Sequence, residues 1–298
     1  MTPYQDAVKK HGGMRKAARI LGIPWGTFHE RYAHERSKIK KKEKKKASKF
    51  TKIVYFTDAH NQPGVCHDRF VWLAKFVNDQ KPDILIDGGD FDDFQSLCSH
   101  ERNETYKGRL KPSTQADLEN SAQARRLFQQ TLKHGCRKLI TLGNHEHRLK
   151  IFEDQNPEMY GIPTNIYFDI LKETGWEWYE YGAHVEIEGV NFTHIPFTTL
   201  GRPIGGETAC KVIADKSLQD VVFGHTHKLD IWNSPKFGAS KSVTAFNAGC
   251  FMPDLYVPPY AQDSRKEFWY GCHVLMIADQ KIKSIKSWHI SELEALYA

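Results

Sequence analysis

Apolar and polar positions alternate along most of the chain in the pattern typical of an α/β protein. Short apolar or β-branched runs predict strands at 53–57, 83–87, 138–142, 185–187, 190–194, 221–223, 242–246, 273–278 and 282–288. Apolar residues at helical spacing predict helices at 68–79, 114–134 and 164–174. Because helices precede residue 175 and strands follow it, we expect two sheets packed together with helices outside.

The first 36 residues predict a separate unit of short helices. Gly12 and Gly13 interrupt the helical pattern, and Pro24 suits the first position of a last helix that runs to about His34. The predicted helices are 3–11, 14–21 and 24–34. Five apolar side chains are expected to form a miniature core: Ile20, Leu21, Ile23, Phe28 and Tyr32.

Ala18, Gly22 and Phe28 have the spacing of a helix-turn-helix, which needs a small residue where its helices cross, a glycine in the turn and an apolar residue beyond it. The segment resembles the small helix-turn-helix units of bacterial DNA-binding proteins. That resemblance implies that the last helix enters the major groove and presents Trp25 and His29 to DNA. The alternative is a tri-helical unit that binds another protein.

A lysine-rich segment, 37–49, follows with almost no apolar residue. We expect it to be a solvated, extended linker. Its lysines are candidates to bind DNA phosphates without reading sequence. These candidates are Lys40, Lys41, Lys42, Lys44, Lys45 and Lys46. The alternative is a tether that only keeps the protein soluble, and both interpretations are compatible.

Charge separates the N-terminus from the rest of the 298-residue chain. Residues 1–52 contain 16 Lys and Arg against 4 Asp and Glu, whereas residues 53–298 contain 26 against 32. The formal net charge of +6 therefore conceals a basic arm and a mildly acidic body. Such asymmetry is typical of a polyanion-binding arm on a separate globular domain. We expect a small helical unit at 1–36, a lysine-rich linker at 37–49 and a globular domain at 50–298.

Several classes of protein are excluded by the composition. No apolar run approaches the roughly 20 residues of a membrane span, and the N-terminus lacks the apolar core of a signal peptide. The six cysteines are scattered without a Cys-x-x-Cys pair, which suits reduced thiols better than disulfides or a thiolate zinc site. We therefore expect a cytoplasmic protein without a membrane partner.

Polar residues follow five of the apolar runs, where strands are expected to end in loops. They supply carboxylate, imidazole and amide groups in the order Asp58, His60, Asp90, Asn144, His194, His225 and His227. Mixed oxygen and nitrogen ligands of this kind suit two divalent cations. One such motif alone is a weak signal, and a lone histidine such as His194 is more often structural. Five motifs together predict a dinuclear site.

These motifs resemble those of the calcineurin-like metallophosphoesterases, in the same order, across residues 53–227. The resemblance implies a sandwich of two mixed sheets with metal sites at the carboxyl ends of strands. It also implies that Asp58, His60 and His227 hold one metal, that Asn144, His194 and His225 hold the other, and that Asp90 bridges them. Manganese is the expected metal, and iron, zinc, nickel and cobalt are alternatives.

Two further residues acquire roles from the resemblance. His145 would stabilise or protonate the leaving oxygen, and Asp93 would orient His145. The arginine with which phosphoprotein phosphatases clamp phosphate is missing, since Phe94 follows Asp93. Arg102 and Arg148 are candidates for substrate binding, although a solvated polar loop explains the basic residues after position 99 equally well.

The end of the chain resembles family members encoded by phages and prophages. The stretches concerned are Asn247-Ala248-Gly249-Cys250, Tyr260 and Trp269-Tyr270-Gly271. A bacterial or phage-infected cell is therefore the expected setting.

Three functions fit the sequence. The first is a DNA nuclease that its basic arm recruits to substrate, and the second is a phosphatase or small-nucleotide phosphodiesterase whose N-terminus only localises it. The third, a DNA-binding regulator with an inactive body, would not need all seven ligands. The first is the prediction, with two divalent metal ions as cofactor and DNA as partner. The oligomeric state is not predictable from the sequence.

Overall fold

The computed structural model describes residues 3–46, 50–99, 104–238, 241–256 and 267–298. The chain forms two compact units, 1–49 and 50–298. None of the helices in the described part is long and apolar enough to cross a membrane.

The N-terminal unit is helical. Its elements are α1 (Pro3–His11), α2 (Met14–Ile20) and α3 (Trp25–Lys46). Ala17, Ala18 and Phe28 are buried between them. The prediction that Ile20 and Leu21 belong to this core is wrong, since their side chains are 52% and 48% exposed. The small alanines form the packed side of α2 instead, which leaves its larger apolar residues on the outside.

The third helix is longer than predicted. It continues past His34 through the lysine run to Lys46, so the expectation of an extended segment is wrong at least that far. Lysine and glutamate have high helix propensity, and neither glycine nor proline occurs between residues 27 and 46. The composition of the lysine run therefore favours continuation of the helix. The domain boundaries given above remain predictions.

The second unit contains the sheets and their covering helices. The strands are β1 (Thr51–Phe56), β2 (Ile84–Asp87), β3 (Arg137–Thr141), β4 (Glu177–Tyr179), β5 (Val185–Ile187), β6 (Val190–Phe192), β7 (Asp220–Phe223), β8 (Leu229–Pro235), β9 (Ser242–Ala248), β10 (Gly271–Ala278) and β11 (Lys281–His289). The α-helices are α4 (Asp68–Gln80), α5 (Tyr106–Arg109), α6 (Thr114–Thr131), α7 (Asn144–Gln155), α8 (Ile162–Glu173), α9 (Ala209–Lys216) and α10 (Ile290–Tyr297). Short 3₁₀ helices lie at Gln95–Leu97 and Pro157–Met159.

Both sheets are mixed. In the part of the chain that the structure describes, the first has the order β11-β10-β1-β2-β3-β4 and the second the order β5-β6-β7-β9-β8. Strands β1 to β4 run parallel, with Val54 opposite Leu85, and β10 and β11 extend that sheet antiparallel. The predicted sandwich of two mixed sheets flanked by helices is confirmed.

Alternation along the strands divides the core into layers. On β1, Ile53 and Tyr55 face the second sheet, where Phe192 and Phe246 pack against them. Val54 instead packs on the opposite side, in the core that the outer helices share. A strand buried on both faces shows the nearly continuous apolar run from which it was predicted.

Elements with weaker patterns escaped prediction. The edge strand β8 contains Asp230, Asn233 and Pro235 and exposes most of its residues, so no apolar run marks it. Helix α7 begins at Asn144, inside a motif expected to be only a turn. In both cases pairing or packing with the rest of the unit determines the local structure.

The parallel strands place the functional loops at one edge of the sandwich. β1 is followed by Asp58, β2 by Asp90, β3 by Asn144, β6 by His194 and β7 by His225. Carboxyl ends of parallel strands meet at the same edge, and ligand sites in open α/β sheets lie there. All five predicted motifs therefore converge.

Candidate dinuclear metal centre

Histidines and carboxylates form neighbouring clusters at this edge. One cluster contains Asp58, His60 and His227, and another contains Asp90, His194 and His225. In each cluster, the candidate ligand atoms lie within 4.8 Å of one another. Nearly all of these residues are buried, and His225 is partly so. Each cluster has the residue types and the compactness to hold a divalent cation.

The first cluster brings two imidazole nitrogens close to a buried carboxylate oxygen. Nε2 of His60 and Nε2 of His227 are 3.0 Å apart, and Oδ1 of Asp58 lies 3.3 Å from Nε2 of His227. Oδ1 of Asp58 is buried and forms no hydrogen bond within the described residues. A buried carboxylate oxygen without a partner is costly, and a cation between these three atoms would satisfy it. The residues therefore fit a metal.

The second cluster adds an amide oxygen. Oδ1 of Asn144 lies 2.8 Å from Nδ1 of His225 and 3.1 Å from Nε2 of His194. The same His194 nitrogen is 3.3 Å from Oδ2 of Asp90. Nδ1 of His194 lies 2.9 Å from the carbonyl oxygen of Gly88, which leaves Nε2 to face the cluster. Asp90 is thus placed toward the second cluster and also, with His60 and His145, toward the first.

The ligand loops adopt an unusual backbone conformation. Five of the seven predicted ligands have positive φ angles in the left-handed region: Asp58 (53°), His60 (43°), Asp90 (52°), His225 (70°) and His227 (60°). Each such residue costs on the order of 1–3 kcal/mol, and conformations of this kind concentrate at functional sites. The strain turns the side chains inward, toward the shared space between the loops.

Two glycines permit these loops to approach closely. Gly89 has φ of 94°, and a Cβ there would lie 2.2 Å from the carbonyl oxygen of Thr141. At Gly143, a Cβ would lie 2.0 Å from Oδ1 of Asp90. Any side chain at either position would force the second and third motifs apart.

A carboxylate not singled out in the sequence ties the same loops together. Glu146, on α7, accepts hydrogen bonds from the backbone N–H groups of Gly143 (2.7 Å), Asp90 (2.9 Å) and Asp92 (3.2 Å). Its side chain is buried. A glutamate at the third position of a helix that follows a glycine turn is a recognisable capping signal, so the sequence did contain a hint.

Asp93 contacts two of the histidines. Its Oδ1 lies 2.8 Å from Nδ1 of His145 and 3.1 Å from Nδ1 of His60. The predicted pairing of Asp93 with His145 is therefore present in the geometry, and the contact with His60 is additional. Nε2 of His145 lies 3.8 Å from Oδ2 of Asp90 and 3.1 Å from the guanidinium of Arg148.

The electrostatics of the site favour positive charge. Burial by itself would lower the pKa of His60, but the carboxylates of Asp58 and Asp93 outweigh burial and raise that pKa to about 10. The same balance, with Asp90 as the main partner, raises the pKa of His194 to about 9. Burial acts to raise the pKa values of all three carboxyl groups, yet the neighbouring imidazoles hold them lowered. Divalent cations would supply that positive charge.

A buried ion network supports the site from behind. The guanidinium of Arg125 lies 3.5 Å from Asp87, 3.9 Å from Asp92 and 3.8 Å from the ring centre of Phe91. Burial raises the pKa of Asp87 to about 8, although Arg125 opposes the shift. Arginine in mid-helix carries no sequence signal for such a role, and this network was missed.

The structure describes some of the residues predicted to contact DNA or substrate but not all of them. Trp25 is 40% exposed and its ring centre lies 5.5 Å from that of His29 on α3. Arg148 lines a cavity of about 290 Å³ together with His60, His145 and His227. Arg102 lies outside the described residues, as do the side chains of the six lysines from Lys40 to Lys46.

Paired clusters that share a carboxylate, at the ends of parallel strands from two sheets, define a class of protein: the dinuclear metal-dependent phosphoesterases. The model of the calcineurin-like phosphoesterases matches residues 51–229, and the chain belongs to that family. No curated protein matches the chain. It is similar, at 10% sequence identity and a TM-score of 0.40, to the crystal structure of a dimetal phosphatase from Danio rerio. That match covers 80% of this chain and 96% of the other, and so weak a likeness says nothing about substrate.

Proposed function

We propose that this protein hydrolyses phosphodiester bonds of DNA with two divalent metal ions, and that its basic N-terminus recruits the substrate. The proposal rests above all on the two clusters that meet at Asp90, with His145 beside them and outside the predicted ligand set. This arrangement provides for two cations and a separate proton donor, which is what cleavage of a phosphate ester requires.

Each cluster is assigned one cation. Asp58, His60 and His227 would hold the first, and Asn144, His194 and His225 would hold the second. Asp90 contributes to both, because its carboxylate borders both clusters. When bound, two divalent cations would supply Lewis acidity for attack on the phosphate ester. Manganese is the proposed metal.

The chain's own residues position the proton transfer. Nδ1 of His145 lies 2.8 Å from both the backbone carbonyl oxygen and the carboxylate Oδ1 of Asp93, so Nδ1 carries the hydrogen of that contact and Nε2 is left on the side of Asp90. As an imidazolium, His145 would give its Nε2 proton to the departing oxygen and become a neutral imidazole with its hydrogen on Nδ1. Asp93 fixes the orientation of the ring through these contacts.

Phe94 argues against a phosphoprotein substrate. It occupies the position after Asp93, where phosphoprotein phosphatases have their clamping arginine, and its side chain is fully buried. That position therefore presents no cation to a substrate phosphate. Arg148, 3.1 Å from His145, is the cation that lies at the cavity instead.

Recruitment to DNA is proposed from charge. Residues 1–52 hold 16 of the 42 lysines and arginines of the chain, whereas the remainder is net acidic. Release of counterions from DNA would drive binding of such a segment. The net acidic body also favours a second candidate, a phosphatase or small-nucleotide phosphodiesterase that the N-terminus only localises.

One experiment separates the candidates. The manganese-loaded protein is incubated with linear duplex, single-stranded and nicked DNA, and in parallel with 4-nitrophenyl phosphate and bis(4-nitrophenyl) phosphate. A nuclease should cleave at least one DNA form and prefer the chromogenic diester. Hydrolysis of small esters without cleavage of any DNA would favour the second candidate, and activity on none of them would refute both.

A further inference from the structure

A larger groove adjoins the metal cavity on the side of His145. It measures about 750 Å³, against about 290 Å³ for the cavity over the clusters. Cys98 and Arg148 line both spaces, so the two share a wall. Among the described residues that line the groove, none is a predicted metal ligand.

The position of His145 sets the direction in which a substrate would enter the groove. Its Nε2 lies between Asp90, at 3.8 Å, and the guanidinium of Arg148, at 3.1 Å. If His145 protonates the leaving oxygen, as proposed above, the leaving group extends from the clusters past His145 toward Arg148. The groove therefore receives the leaving group.

Two half-buried cations line this groove, and backbone carbonyl groups hold both. Arg148 donates to the carbonyl oxygen of Asp93 at 2.8 Å, and Nζ of Lys111 donates to that of Cys98 at 2.5 Å. Within the described residues neither has a carboxylate at ion-pair distance, although Glu104 also lines the groove. By contrast, Lys150 on the same helix as Arg148 is paired with a glutamate.

A carbonyl anchor fixes a cation without neutralising it. The positive charge of Arg148 and Lys111 thus remains available to an anion in the groove, and partial burial strengthens the attraction. The carboxylate of Asp117 lies at the groove wall, where it accepts a hydrogen bond from the backbone N–H of Ser96. Its negative charge lowers the positive potential in the groove somewhat. The groove therefore presents two cations, Arg148 and Lys111, together with the carboxylates of Glu104 and Asp117. The two cations suit the binding of one phosphate.

Part of the groove lining is apolar. Leu97, Ile151 and Phe152 line the groove beside the two cations. Cations and an apolar wall in a space of this size match a nucleotide, whose phosphate is anionic and whose base has an apolar face. A phosphoprotein would instead place an extended peptide there, and none of the described residues that line the groove belongs to a strand with which such a peptide could pair.

We propose that this groove binds the leaving-group nucleotide of the substrate and that Arg148 and Lys111, which both line it, bind the second phosphate of that nucleotide. The inference rests on the proposed phosphodiesterase activity and specifies its substrate: a nucleic-acid strand whose leaving group carries a further phosphate. Small esters without that phosphate would be poor substrates because the groove stays empty.

Dinucleotides test this proposal and the direction of cleavage together. TpT has no second phosphate, pTpT carries one on the nucleoside that leaves through O3′, and TpTp carries one on the nucleoside that leaves through O5′. For the manganese-loaded protein, kcat/KM for pTpT or for TpTp should exceed that for TpT by roughly 10-fold or more, because charge-assisted hydrogen bonds are strong. The favoured dinucleotide identifies the leaving oxygen.

Substitutions at Lys111 and Arg148 test whether these two cations cause the higher kcat/KM of the favoured dinucleotide. Lys111→Gln and Arg148→Lys should each lower the ratio of the favoured dinucleotide to TpT, mostly through KM. Lys150→Gln removes a cation from the same helix outside the groove and should preserve the ratio. Equal kcat/KM for the three dinucleotides, or a ratio that Lys111→Gln leaves intact, would overturn the groove assignment alone. Hydrolysis of bis(4-nitrophenyl) phosphate without cleavage of any dinucleotide would overturn the nuclease proposal as well.

Discussion

Oε2 of Glu146 accepts a hydrogen bond from the backbone N–H of Asp90 at 2.9 Å. The same carboxylate accepts from Gly143, so one buried side chain joins the loop after β2 to the loop after β3. Asp90 belongs to the first loop and Asn144 to the second. The distance between the proposed bridging carboxylate and the amide ligand is therefore fixed by a residue that touches neither proposed cation.

Replacing Glu146 by glutamine should weaken metal binding. The amide keeps one acceptor oxygen but places an NH₂ group against a backbone N–H, which leaves at least one buried donor without a partner. Loss of a residue that supports metal ligands typically costs roughly 10–100-fold in metal affinity. Calorimetric titration with manganese measures the change in metal affinity. Glu158→Gln, at an exposed position, is the control, and an unchanged affinity in Glu146→Gln would remove this role.

Substitution of His145 should affect the reaction and spare the metals. His145→Ala should lower kcat/KM for esters with poor leaving groups by roughly 10²–10⁴-fold, as expected for loss of a general acid. The loss should be smaller with 4-nitrophenolate, which hardly needs a proton. Metal content should remain unchanged, and His147→Ala, on the same helix, should have little effect. Equal losses on good and poor leaving groups would show that His145 is not the proton donor.

His273 should make the fold sensitive to acid. It is buried between Ala248 and Ser287, and burial lowers its pKa from 6.5 to about 4. Between these values the unfolded chain binds a proton and the folded chain does not, so stability falls as pH falls. The loss between pH 8 and pH 5 should be about 2 kcal/mol.

Urea unfolding of the chelator-treated protein and of His273→Gln at both pH values measures this effect. As the pH falls, the unmodified protein should lose more unfolding free energy than the variant. The other histidines titrate in both proteins, so their effect cancels in the difference between the two. A difference that does not vary with pH would show that His273 titrates alike in both states.

How far the sequence predicts the structure depends on where each signal resides. Asp58, Asp90 and His194 each follow an apolar run, and because strands of that kind are buried and parallel, their ends had to converge. Glu146 has a local capping signal, but its contact with Asp90 spans about 55 residues of chain and the contacts of Arg125 span 30–40, and no local pattern reports these contacts. Long-range packing fixes these contacts, and only the structure shows them.

The N-terminal unit illustrates the opposite limit. Its helices follow from glycine and proline positions, yet Ile20 and Leu21 proved exposed because the alanines of α2 occupy the packed side. Apolar character alone therefore did not decide which residues form so small a core. Residues 37–46 were helical for a similar reason, since polarity excludes a buried core but does not exclude a helix.

The lysine run should contribute to recruitment of DNA. Replacing the lysines of the run by glutamine in the full-length protein should weaken binding to all DNA sequences alike. The positions are Lys40, Lys41, Lys42, Lys44, Lys45 and Lys46. For every DNA phosphate that the variant no longer binds, the slope of log K against log salt should fall by about 0.9. Activity on bis(4-nitrophenyl) phosphate should persist, because the first proposed ligand, Asp58, lies beyond the run. Lys172→Gln with Lys211→Gln, on the acidic body, is the control and should leave the slope unchanged.

Trp25 and His29 provide the complementary test. If α3 reads bases, replacing both by alanine should reduce the preference for one site over random DNA while leaving the salt slope nearly intact, because base contacts determine specificity and phosphate contacts determine position. Equal weakening on every sequence would instead assign them to non-specific binding. A lysine variant that cleaves DNA at physiological salt as fast as the unmodified protein, with the same salt slope, would show that the run does not recruit substrate.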